Sequence, residues 1–591
     1  MIMKRKALAL IIIFWFAGTL TATEFTSIAK ANAFVSPEKA PAGYRIRSDG
    51  THNVTNLRRD GNVYTFIGDV QGTIVIERDG IVLDGAGYAL QGDGSSYGIW
   101  LQDKSNVTIK NLIIRNFGHG IRFSHYVASL YSTNPNHTTD CTIEACKITN
   151  SSHGITLYSC LNCSIIGNYI ANNTCGVSFT GSGNIFRNNR IEENQYNFCD
   201  DGINNNDVDN SNTVDGKPIY YWVNQHNMTV PSNAGMVILK QCSGITIQNL
   251  NLRANTHGIS LYNTNETTIY GNKISNNRYG IALYNSHNNS ISGNQITNNS
   301  DNGIDQYKSN GTRISNNLIE SNHHGIYDRY SSNTFISSNQ ISANSLNGIQ
   351  GYSNCTVIDN YIFANAQNGI WISDISNSVL SRNNLTLNAV AGIWFVKGTN
   401  SLVNGNYISK NKMGILIGYA SENTIMLNDI VENNQWGIRI EGYAKNNLIY
   451  LNNFVNNNNS IQAAVKPIWV YPGDERYVEN LTPELPQQVA GYANFWDNGT
   501  HGNYWSDLNT ETHDSSISST PYLIDDNNQD NHPLLEPLEF AALELPSLEP
   551  PQDADQPATE PTTFPVWIIA CIASATTASI GLLIYFKKRK H

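Results

Sequence analysis

The sequence predicts an all-β protein whose main body is a right-handed parallel β-helix solenoid. A glycine followed by a β-branched apolar residue recurs every 21 to 23 residues through most of the repeat region, and short runs of alternating apolar residues surround each pair. Asn, Ser and Gly separate these runs. Alternation over such short runs is typical of strands and turns, and it argues against the two-helix repeats of similar length. The pairs are Gly98-Ile99, Gly120-Ile121, Gly154-Ile155, Gly176-Val177, Gly258-Ile259, Gly280-Ile281, Gly303-Ile304, Gly325-Ile326, Gly348-Ile349, Gly369-Ile370, Gly392-Ile393, Gly414-Ile415 and Gly437-Ile438.

Each repeat is interpreted as one coil of three short strands, which gives about fourteen coils of 21 to 23 residues. Coils stack at the spacing between strands, roughly 4.8 Å, so residues at equal offsets form columns along the solenoid. The recurrent asparagines, such as Asn272 and Asn277, are expected to hydrogen-bond from coil to coil at the turns.

Changes in composition divide the chain into nine segments. Lys4-Arg5-Lys6 before an apolar stretch is typical of a secretory signal peptide, and an uncharged apolar segment before Lys587 is long enough to cross a bilayer. The solenoid is therefore expected outside the cell, anchored at the surface, with a cytoplasmic C-terminus. The segments are a signal peptide (1–33), an N-terminal cap with the first coils (34–97), coils (98–195), an insertion (196–234), coils (235–465), a C-terminal cap region (466–540), a Pro-rich acidic stalk (541–564), a C-terminal transmembrane helix (565–586) and a basic tail (587–591).

Composition excludes two classes of protein. The 591 residues are 40% hydrophobic and 14% charged, which is unlike a disordered chain. The net charge of −11 has no basic stripe outside the two ends, so nucleic acid is not an expected partner. Asn-x-Ser/Thr sequons predict a glycoprotein. Cys141 and Cys163 share one offset in adjacent coils, and either a disulfide or two buried thiols fits that placement.

A non-repeating region near the C-terminus carries a specific motif. It contains Asn494-Phe495-Trp496-Asp497-Asn498-Gly499, Asn503-Tyr504-Trp505-Ser506-Asp507 and Thr520-Pro521-Tyr522. With the preceding coils, from about Gly72 to Leu535, it resembles the NosD-like family of periplasmic copper-binding proteins. That resemblance implies a β-helix shared with carbohydrate-binding proteins and sugar hydrolases, and a role in copper delivery. The stretch between Tyr-Trp-Ser-Asp and Thr-Pro-Tyr departs from the family, since Glu511 and Asp514 are its only acidic residues.

One column offers candidate metal ligands. His119, His153 and Cys175 occupy the same offset in successive coils, and imidazole and thiolate suit copper. The alternative is that all three are ordinary turn residues. The acidic insertion from Asp200 to Asp215 is a second candidate, for calcium, although it matches no defined loop.

An aromatic face is the main candidate for ligand binding. Because the first residue after each glycine is expected to point inward, the second and fourth point outward. Aromatic rings with polar neighbours favour sugars, although stacked tyrosines also stabilise a parallel sheet. The predicted ligand-binding residues are Tyr262, Tyr284, Tyr307, Tyr327, Arg329, Tyr352, Trp371 and Trp394.

Two acidic residues of the same coils are candidate catalytic groups. Asp305 and Asp328 lie in adjacent coils, which suggests a pair of carboxylates for glycosidic cleavage. A local bend in the strand is the alternative explanation. The sequence therefore predicts a surface-anchored β-helix that binds a polysaccharide or glycan, with a polysaccharide hydrolase or lyase and a copper-handling protein as the alternatives.

Overall fold

The computed structural model is a right-handed all-β solenoid of about seventeen turns. It describes residues 40–125, 137–200, 204–352, 354–457, 462–466, 468–470, 487–489, 492–508 and 516–539. A typical turn has three short strands, as in Thr268–Tyr270, Lys273–Ser275 and Tyr279–Tyr284. Strands at the same place in consecutive turns pair in parallel, so the predicted parallel β-helix is confirmed.

Three sheets form the first stack and take their strands from successive turns; in the second sheet the first two strands, Leu57–Asp60 and Val63–Phe66, form an antiparallel hairpin. The first sheet contains Tyr44–Ile46, Ile74–Ile76, Tyr97–Gln102, His119–Ser124, His153–Leu161, Cys175–Ser182 and Tyr196–Asp200. The second contains Leu57–Asp60, Val63–Phe66, Val82–Asp84, Thr108–Lys110, Thr142–Glu144, Ser164–Ile166, Ile185–Arg187 and Asp207–Val208. The third contains Val70–Gln71, Ala89–Gln91, Ile113–Arg115, Lys147–Thr149, Tyr169–Ala171, Arg190–Glu192 and Thr213–Val214.

The second stack has the same three-sided plan. Its first sheet, which we name the groove sheet, contains Lys217–Val223, Met236–Lys240, His257–Tyr262, Tyr279–Tyr284, Ile304–Tyr307, Ile326–Arg329, Ile349–Gly351, Ile370–Ile372, Ala391–Phe395, Met413–Gly418, Trp436–Glu441 and Ala463–Val465. The next contains Thr246–Gln248, Thr268–Tyr270, Ser290–Ser292, Arg313–Ser315, Thr334–Ser337, Cys355–Ile358, Val379–Ser381, Leu402–Asn404, Thr424–Met426 and Leu448–Tyr450. The last contains Asn251–Arg253, Lys273–Ser275, Gln295–Thr297, Leu318–Glu320, Gln340–Ser342, Tyr361–Phe363, Asn384–Thr386, Tyr407–Ser409, Asp429–Val431, Asn453–Val455 and Tyr504–Trp505. Two antiparallel pairs follow: Ile468–Val470 with Gln487–Val489, and Tyr522–Asp525 with Asn528–Asp530.

The two stacks share a pair of strands. Thr213–Val214, at the end of the first stack, pairs antiparallel with Lys217–Val223, at the start of the second. Along Met236–Lys240 every side chain is buried, and the residues alternate between two separate hydrophobic cores. Ile238 packs in the core of the first stack, whereas Leu239 packs in the core of the second. The joint is therefore a small piece of sheet buried on both faces.

Asparagine ladders connect the turns inside the solenoid, as the sequence predicted. The backbone N–H and the side-chain Nδ2 of Asn317 both donate to Oδ1 of Asn339, at 3.0 and 2.9 Å. Asn339 donates in the same way to Asn360, and its Nδ2 also bonds the carbonyl of Ile314. The first ladder runs through Asn272, Asn294, Asn317, Asn339, Asn360, Asn383, Asn406, Asn428, Asn452 and Asn503. A second runs through Asn255, Asn277, Asn299, Asn322, Asn344, Asn365, Asn388, Asn411, Asn433 and Asn457.

The repeated glycine is required by close packing. A Cβ atom on Gly325 would lie 2.5 Å from the carbonyl oxygen of Gly348 and 2.7 Å from a methyl group of Ile341. Both neighbours are fully packed, so neither has room to move. The period visible in the sequence thus marks the place where each turn lies closest to the next.

The Asn-Tyr-Trp block forms the end of the second stack. Asn503 accepts two hydrogen bonds from Asn452 and donates its own N–H to Asp530 at 2.7 Å. The indole of Trp505 stacks between Phe454 and Tyr522 at centroid distances of 4.5 and 4.1 Å, and its Nε1 donates to Asp530. The motif therefore continues the ladder for one more turn and then covers it.

The predicted fold class is wrong in the number of turns and in the added membrane helix. The structure has about seventeen turns, because the strands from Tyr44 to Gln91 and from Asp207 to Lys240 form turns without the Gly-Ile pair. The part of the chain that the structure describes contains no helix long and apolar enough to cross a bilayer. The predicted helix at 565–586 lies outside those residues, as do the signal peptide, the stalk and the basic tail. Over the described residues the fold is accordingly an all-β solenoid of about seventeen turns.

The structure also resolves the cysteine alternatives. Cys141 and Cys163 are both buried and both free. A disulfide joins Cys175 to Cys199 instead, which are neighbours on the first sheet.

Candidate functional site

The floor of the candidate site is a column on the outer face of the groove sheet. The first residue after each glycine points inward, and Ile304, Ile326 and Ile349 are fully buried. The second residue points outward, and the parallel register aligns these residues from turn to turn. This floor column contains Asp305, Tyr327, Gln350, Trp371 and Trp394.

Two further columns form one wall, at the turn that precedes each strand. Backbone hydrogen bonds join His323 to Asp301 and Leu346 to His323, at 2.9 and 2.8 Å. The residue after each of these lies closer to the strand. The outer column contains Asp301, His323, Leu346 and Gln367, and the inner one contains Asn302, His324, Asn347 and Asn368.

Floor and walls enclose an open groove with a volume of about 400 Å³. Tyr279 lies at one end and Trp394 at the other, while Arg329, Tyr330 and Tyr352 form the opposite wall. The groove crosses six strands of the groove sheet, from Tyr279–Tyr284 to Ala391–Phe395. At the spacing between strands it is about 24 Å long.

One end of the groove is acidic. Nη2 of Arg329 donates to both carboxylate oxygens of Asp305, at 3.1 and 2.9 Å, and the Asp305 side chain is only 1% exposed. The guanidinium group lies over the rings of Tyr307 and Tyr327, at 5.6 and 5.0 Å, which holds it in place. Burial raises the pKa of Asp305 to about 6. The positive charge of Arg329 opposes that shift and the negative charge of Asp301 adds to it.

Tyr279 and Asp301 complete this acidic end. Burial, with the negative charge of Asp301 adding to it, raises the pKa of Tyr279, so the phenol keeps its proton. Nε of Arg278 lies 3.7 Å from a carboxylate oxygen of Asp301. Burial lowers the pKa of His324 to about 3, so its imidazole is neutral.

The other end of the groove is aromatic. The rings of Trp371 and Trp394 lie 6.1 Å apart, and Tyr352 stacks on Tyr330 at 5.1 Å. The rings of His324 and Tyr327 stack at 5.0 Å between the two ends. The two ends of the groove, which runs along the solenoid axis, therefore differ in chemistry: one end is acidic and the other carries indole rings.

Several polar atoms that line the groove are buried without a partner among the described residues. They include Oδ1 of Asn302, Nδ1 of His324, Oδ1 of Asn368 and Nε1 of Trp371. A buried polar group without a hydrogen bond costs about 1–3 kcal/mol. These atoms are suited to hydrogen bonds from a bound molecule.

The predicted ligand-binding residues divide into two groups. Tyr327, Arg329, Tyr352, Trp371 and Trp394 line the groove. The other three, Tyr262, Tyr284 and Tyr307, do not. Tyr262 is only 4% exposed and stacks on Tyr284 at 5.0 Å, so this part of the column packs the sheet.

The structure does not bring the two predicted catalytic residues together. Asp305 aligns with Tyr327 on the outer face, whereas Asp328 aligns with Gln306 on the inner face. Asp328 accepts a hydrogen bond from Thr334 at 2.8 Å inside the solenoid, and Gln306 donates to the same threonine. The two carboxylates lie on opposite sides of one sheet, so they form no pair for glycosidic cleavage.

The predicted metal column is aligned as expected, but its thiolate is absent. His119 pairs in register with His153, with ring centroids 4.5 Å apart, and His153 with Cys175. Cys175 is bonded to Cys199, and Nδ1 of His119 bonds the Thr156 hydroxyl at 3.0 Å. Among the described residues there is no group of three His, Cys, Asp or Glu residues that could hold a metal ion.

Sequence reasoning missed the wall of the groove. The residues in question are Tyr279, Asp301, Asn302, Asn347 and Asn368. The sequence does contain a pattern that indicates this wall, because polar residues stand one and two positions before several of the repeated glycines. The pairs are Asp301-Asn302, His323-His324 and Gln367-Asn368.

Comparison with known families agrees with this architecture. The model described as "Right handed beta helix region" matches residues 79–256, 220–357 and 257–403, and together these matches cover more than half of the chain. The model described as "Periplasmic copper-binding protein (NosD)" matches residues 348–510. The fold and the site define a repeat protein with an open groove along one face. The chain belongs to the right-handed β-helix family, and its residues 348–510 are similar to the NosD family.

Solved structures match this chain only at low similarity. The periplasmic alginate epimerase AlgG is 11% identical, with a TM-score of 0.27, and the match covers 69% of this chain and 77% of that one. The A-module of mannuronan C-5 epimerase AlgE4 from Azotobacter vinelandii is 14% identical, with a TM-score of 0.28 and coverages of 56% and 87%. The lacto-N-biosidase from Eubacterium ramulus is 13% identical, with a TM-score of 0.24 and coverages of 58% and 64%. At these TM-scores the likeness carries no inference about activity. A search of curated proteins gives no match.

Proposed function

We propose that the groove binds a linear polysaccharide or glycan chain. The observation that carries this proposal is the row of ring systems Tyr327, Trp371 and Trp394 along the floor of an open groove about 24 Å long. Aromatic side chains supply large apolar contact areas, and an indole adds a polar N–H. A long open groove suits an extended polymer, whereas a small molecule is usually enclosed.

The polar atoms of the groove support the same ligand class. Asn302 and Asn368 offer carbonyl oxygens that have no partner among the described residues, and Trp371 offers its indole N–H. A sugar presents hydroxyl groups, which both donate and accept, beside apolar ring faces. The groove provides complementary groups of both kinds over its whole length.

Localisation outside the cytoplasm is part of the proposal. The basic and apolar start of the chain supports export, because it has the order of a secretory signal peptide. The copper role implied by the NosD description is not proposed, because no set of ligands within the described residues favours it.

A glycan array with the purified full-length chain tests this function. Trp371→Ala and Tyr352→Ala each remove a ring from the groove, and we expect binding to weaken at least about tenfold, equivalent to about 1.4 kcal/mol. Tyr270→Ala is the control, because Tyr270 is exposed on a different sheet. The proposal fails if no glycan binds, or if the groove variants bind as tightly as the control.

A further inference from the structure

We propose that the acidic end of the groove is a catalytic centre that hydrolyses a glycosidic bond of the bound chain, with Asp305 as the general acid and Asp301 as the general base. This inference rests on the glycan-binding function proposed above. It replaces the pair Asp305 and Asp328, which the fold separates onto opposite faces of the sheet.

The position of the Asp305 carboxyl is fixed by its neighbours. It lies on the groove floor in a side chain that is 1% exposed, and Arg329 bonds both of its oxygens. Arg329 is held in turn by the rings of Tyr307 and Tyr327. A carboxyl group held in this way is preorganised for proton transfer at one point of the groove.

Asp301 lies on the adjacent wall, in a different environment. Its side chain is 28% exposed, and Arg278 is its cationic neighbour. Asp301, Asp305 and Tyr279 all line the acidic end of the groove, and Asp301 lies four residues before Asp305 in the chain. A buried carboxyl beside a more solvated one is the arrangement that separates an acid from a base.

Two unpartnered polar atoms indicate a ligand at this end. Oδ1 of Asn302 and Nδ1 of His324 have no hydrogen-bond partner in the described part of the chain. Both side chains are more than nine-tenths buried, and both line the groove beside Asp301 and Asp305. A bound sugar hydroxyl can satisfy each of them.

The reaction is a single displacement by water. The oxygen of water bonds to the anomeric carbon, and the bond from that carbon to the bridging oxygen breaks. Asp305 gives its proton to the departing oxygen, and Asp301 takes a proton from the attacking water, so the products are two shorter chains. Exchange with solvent then returns a proton to Asp305 and removes one from Asp301.

The pH dependence follows from the environment of Asp305. Because its pKa is raised to about 6, the group is protonated below that pH and ionised above it. The general acid is therefore lost as the pH rises through about 6. We expect the cleavage rate to fall over that interval.

The test incubates the full-length chain with xylan, mannan, alginate or pectin and measures the release of reducing ends and the binding in parallel. We expect cleavage of the polysaccharide that binds, and a loss of about 100-fold or more in Asp305→Asn and in Asp301→Asn with binding retained. Asp328→Asn is the matched control, since that carboxylate lies inside the solenoid, and its cleavage rate should equal that of the wild type. Asp305→Asn removes the charge that pairs with Arg329 and could prevent folding. In that case Asp301→Asn alone tests the proposal.

The outcomes separate this inference from the proposed function. Binding without cleavage in the wild type overturns the catalytic centre and leaves the glycan-binding function standing, whereas neither binding nor cleavage overturns both. Products with a new carbon–carbon double bond show elimination and overturn hydrolysis. Cleavage that persists in both Asp301→Asn and Asp305→Asn excludes the assigned roles.

Discussion

At the scale of single residues, the asparagine side chains carry the connection between turns. In each ladder Oδ1 accepts from the backbone and side chain of the preceding turn, and Nδ2 donates to the following turn and to a carbonyl, as Asn339 does. One amide thus satisfies several groups that are buried away from water. No other neutral side chain of that size has both a carbonyl and an NH2 group, which explains why Asn recurs.

Two neighbouring asparagines test the value of this position. Asn433 is buried in the ladder between Asn411 and Asn457, whereas Asn434 is exposed. We expect Asn433→Ala to lower the free energy of unfolding by about 3 kcal/mol, because it leaves several buried partners without hydrogen bonds. Asn434→Ala should change it by less than about 0.5 kcal/mol. Equal melting temperatures for the two variants would contradict the role of the ladder.

Single residues also show where sequence reasoning succeeds and where it fails. Alternation along a strand correctly places Trp371 and Trp394 on the outer face, because the period of two is local. The same rule, applied to Asp305 and Asp328, separates them, since their offsets from the glycine differ by one residue. The sequence prediction pairs them because their coils are adjacent, although Asp328 stands at a position that is expected to point inward. Tyr262 follows the pattern but is covered, and burial of that kind depends on neighbours distant in the chain.

At the scale of elements, the last turn of the second stack has a distinct role. A stack of parallel strands leaves backbone N–H and C=O groups unpaired at its end. In the last turn here, the N–H of Asn503 and the Nε1 of Trp505 both donate to the carboxylate of Asp530. The chain reaches this turn only after an interval of 51 residues between Asn452 and Asn503. The motif was visible in the sequence, but its role was not, because the interval breaks the period.

The Asp530 carboxyl makes the stability of this turn depend on pH. It is fully buried, and burial raises its pKa from the ordinary 3.8 to about 6. Because the pKa is raised in the folded state, folding favours the protonated form of Asp530. The contribution of this group to the stability of the folded protein is therefore fully present below pH 3.8 and is lost as the pH rises through about 6. We expect the melting temperature of Asp530→Asn relative to the wild type to be higher at pH 7 than at pH 4, because only the wild type loses stability as this carboxyl ionises.

The control for this prediction is Asp526→Asn, because Asp526 is exposed in the same hairpin. Its melting temperature relative to the wild type should be the same at pH 4 and pH 7. A difference for Asp530→Asn that stays constant with pH would show that the Asp530 carboxyl does not titrate between those values.

At the scale of the whole molecule, the shared strands join two solenoid stacks into one folding unit. Ile238 fills the first core and Leu239 fills the second, although they are adjacent in sequence. Because the two residues are joined by one peptide bond, we expect a change in the packing of one core to alter the packing of the other. The sequence showed only an interruption here, since residues that alternate between two cores form a continuous apolar run without a visible period.

A cavity at the joint tests this coupling. Ile238→Ala removes buried volume from the first core, at a cost of about 2–5 kcal/mol. We expect faster hydrogen exchange both in Cys175–Ser182 of the first stack and in His257–Tyr262 of the second. Ile247→Ala, which lies only in the second core, should affect the second stack alone. Exchange confined to the first stack in Ile238→Ala would contradict the coupling.

The register of the groove sheet has a consequence for how such a site changes in evolution. Asp305 and Trp371 stand three turns apart in one column, so their separation is about 14 Å and can change only in steps of one turn. Duplication or loss of one gene segment of about 22 codons would alter the distance by a single step and leave both ends chemically intact. The distance between the acidic and the aromatic end of the groove is therefore always a whole number of turns, and under the proposed function it would set the length of the ligand in steps of one turn.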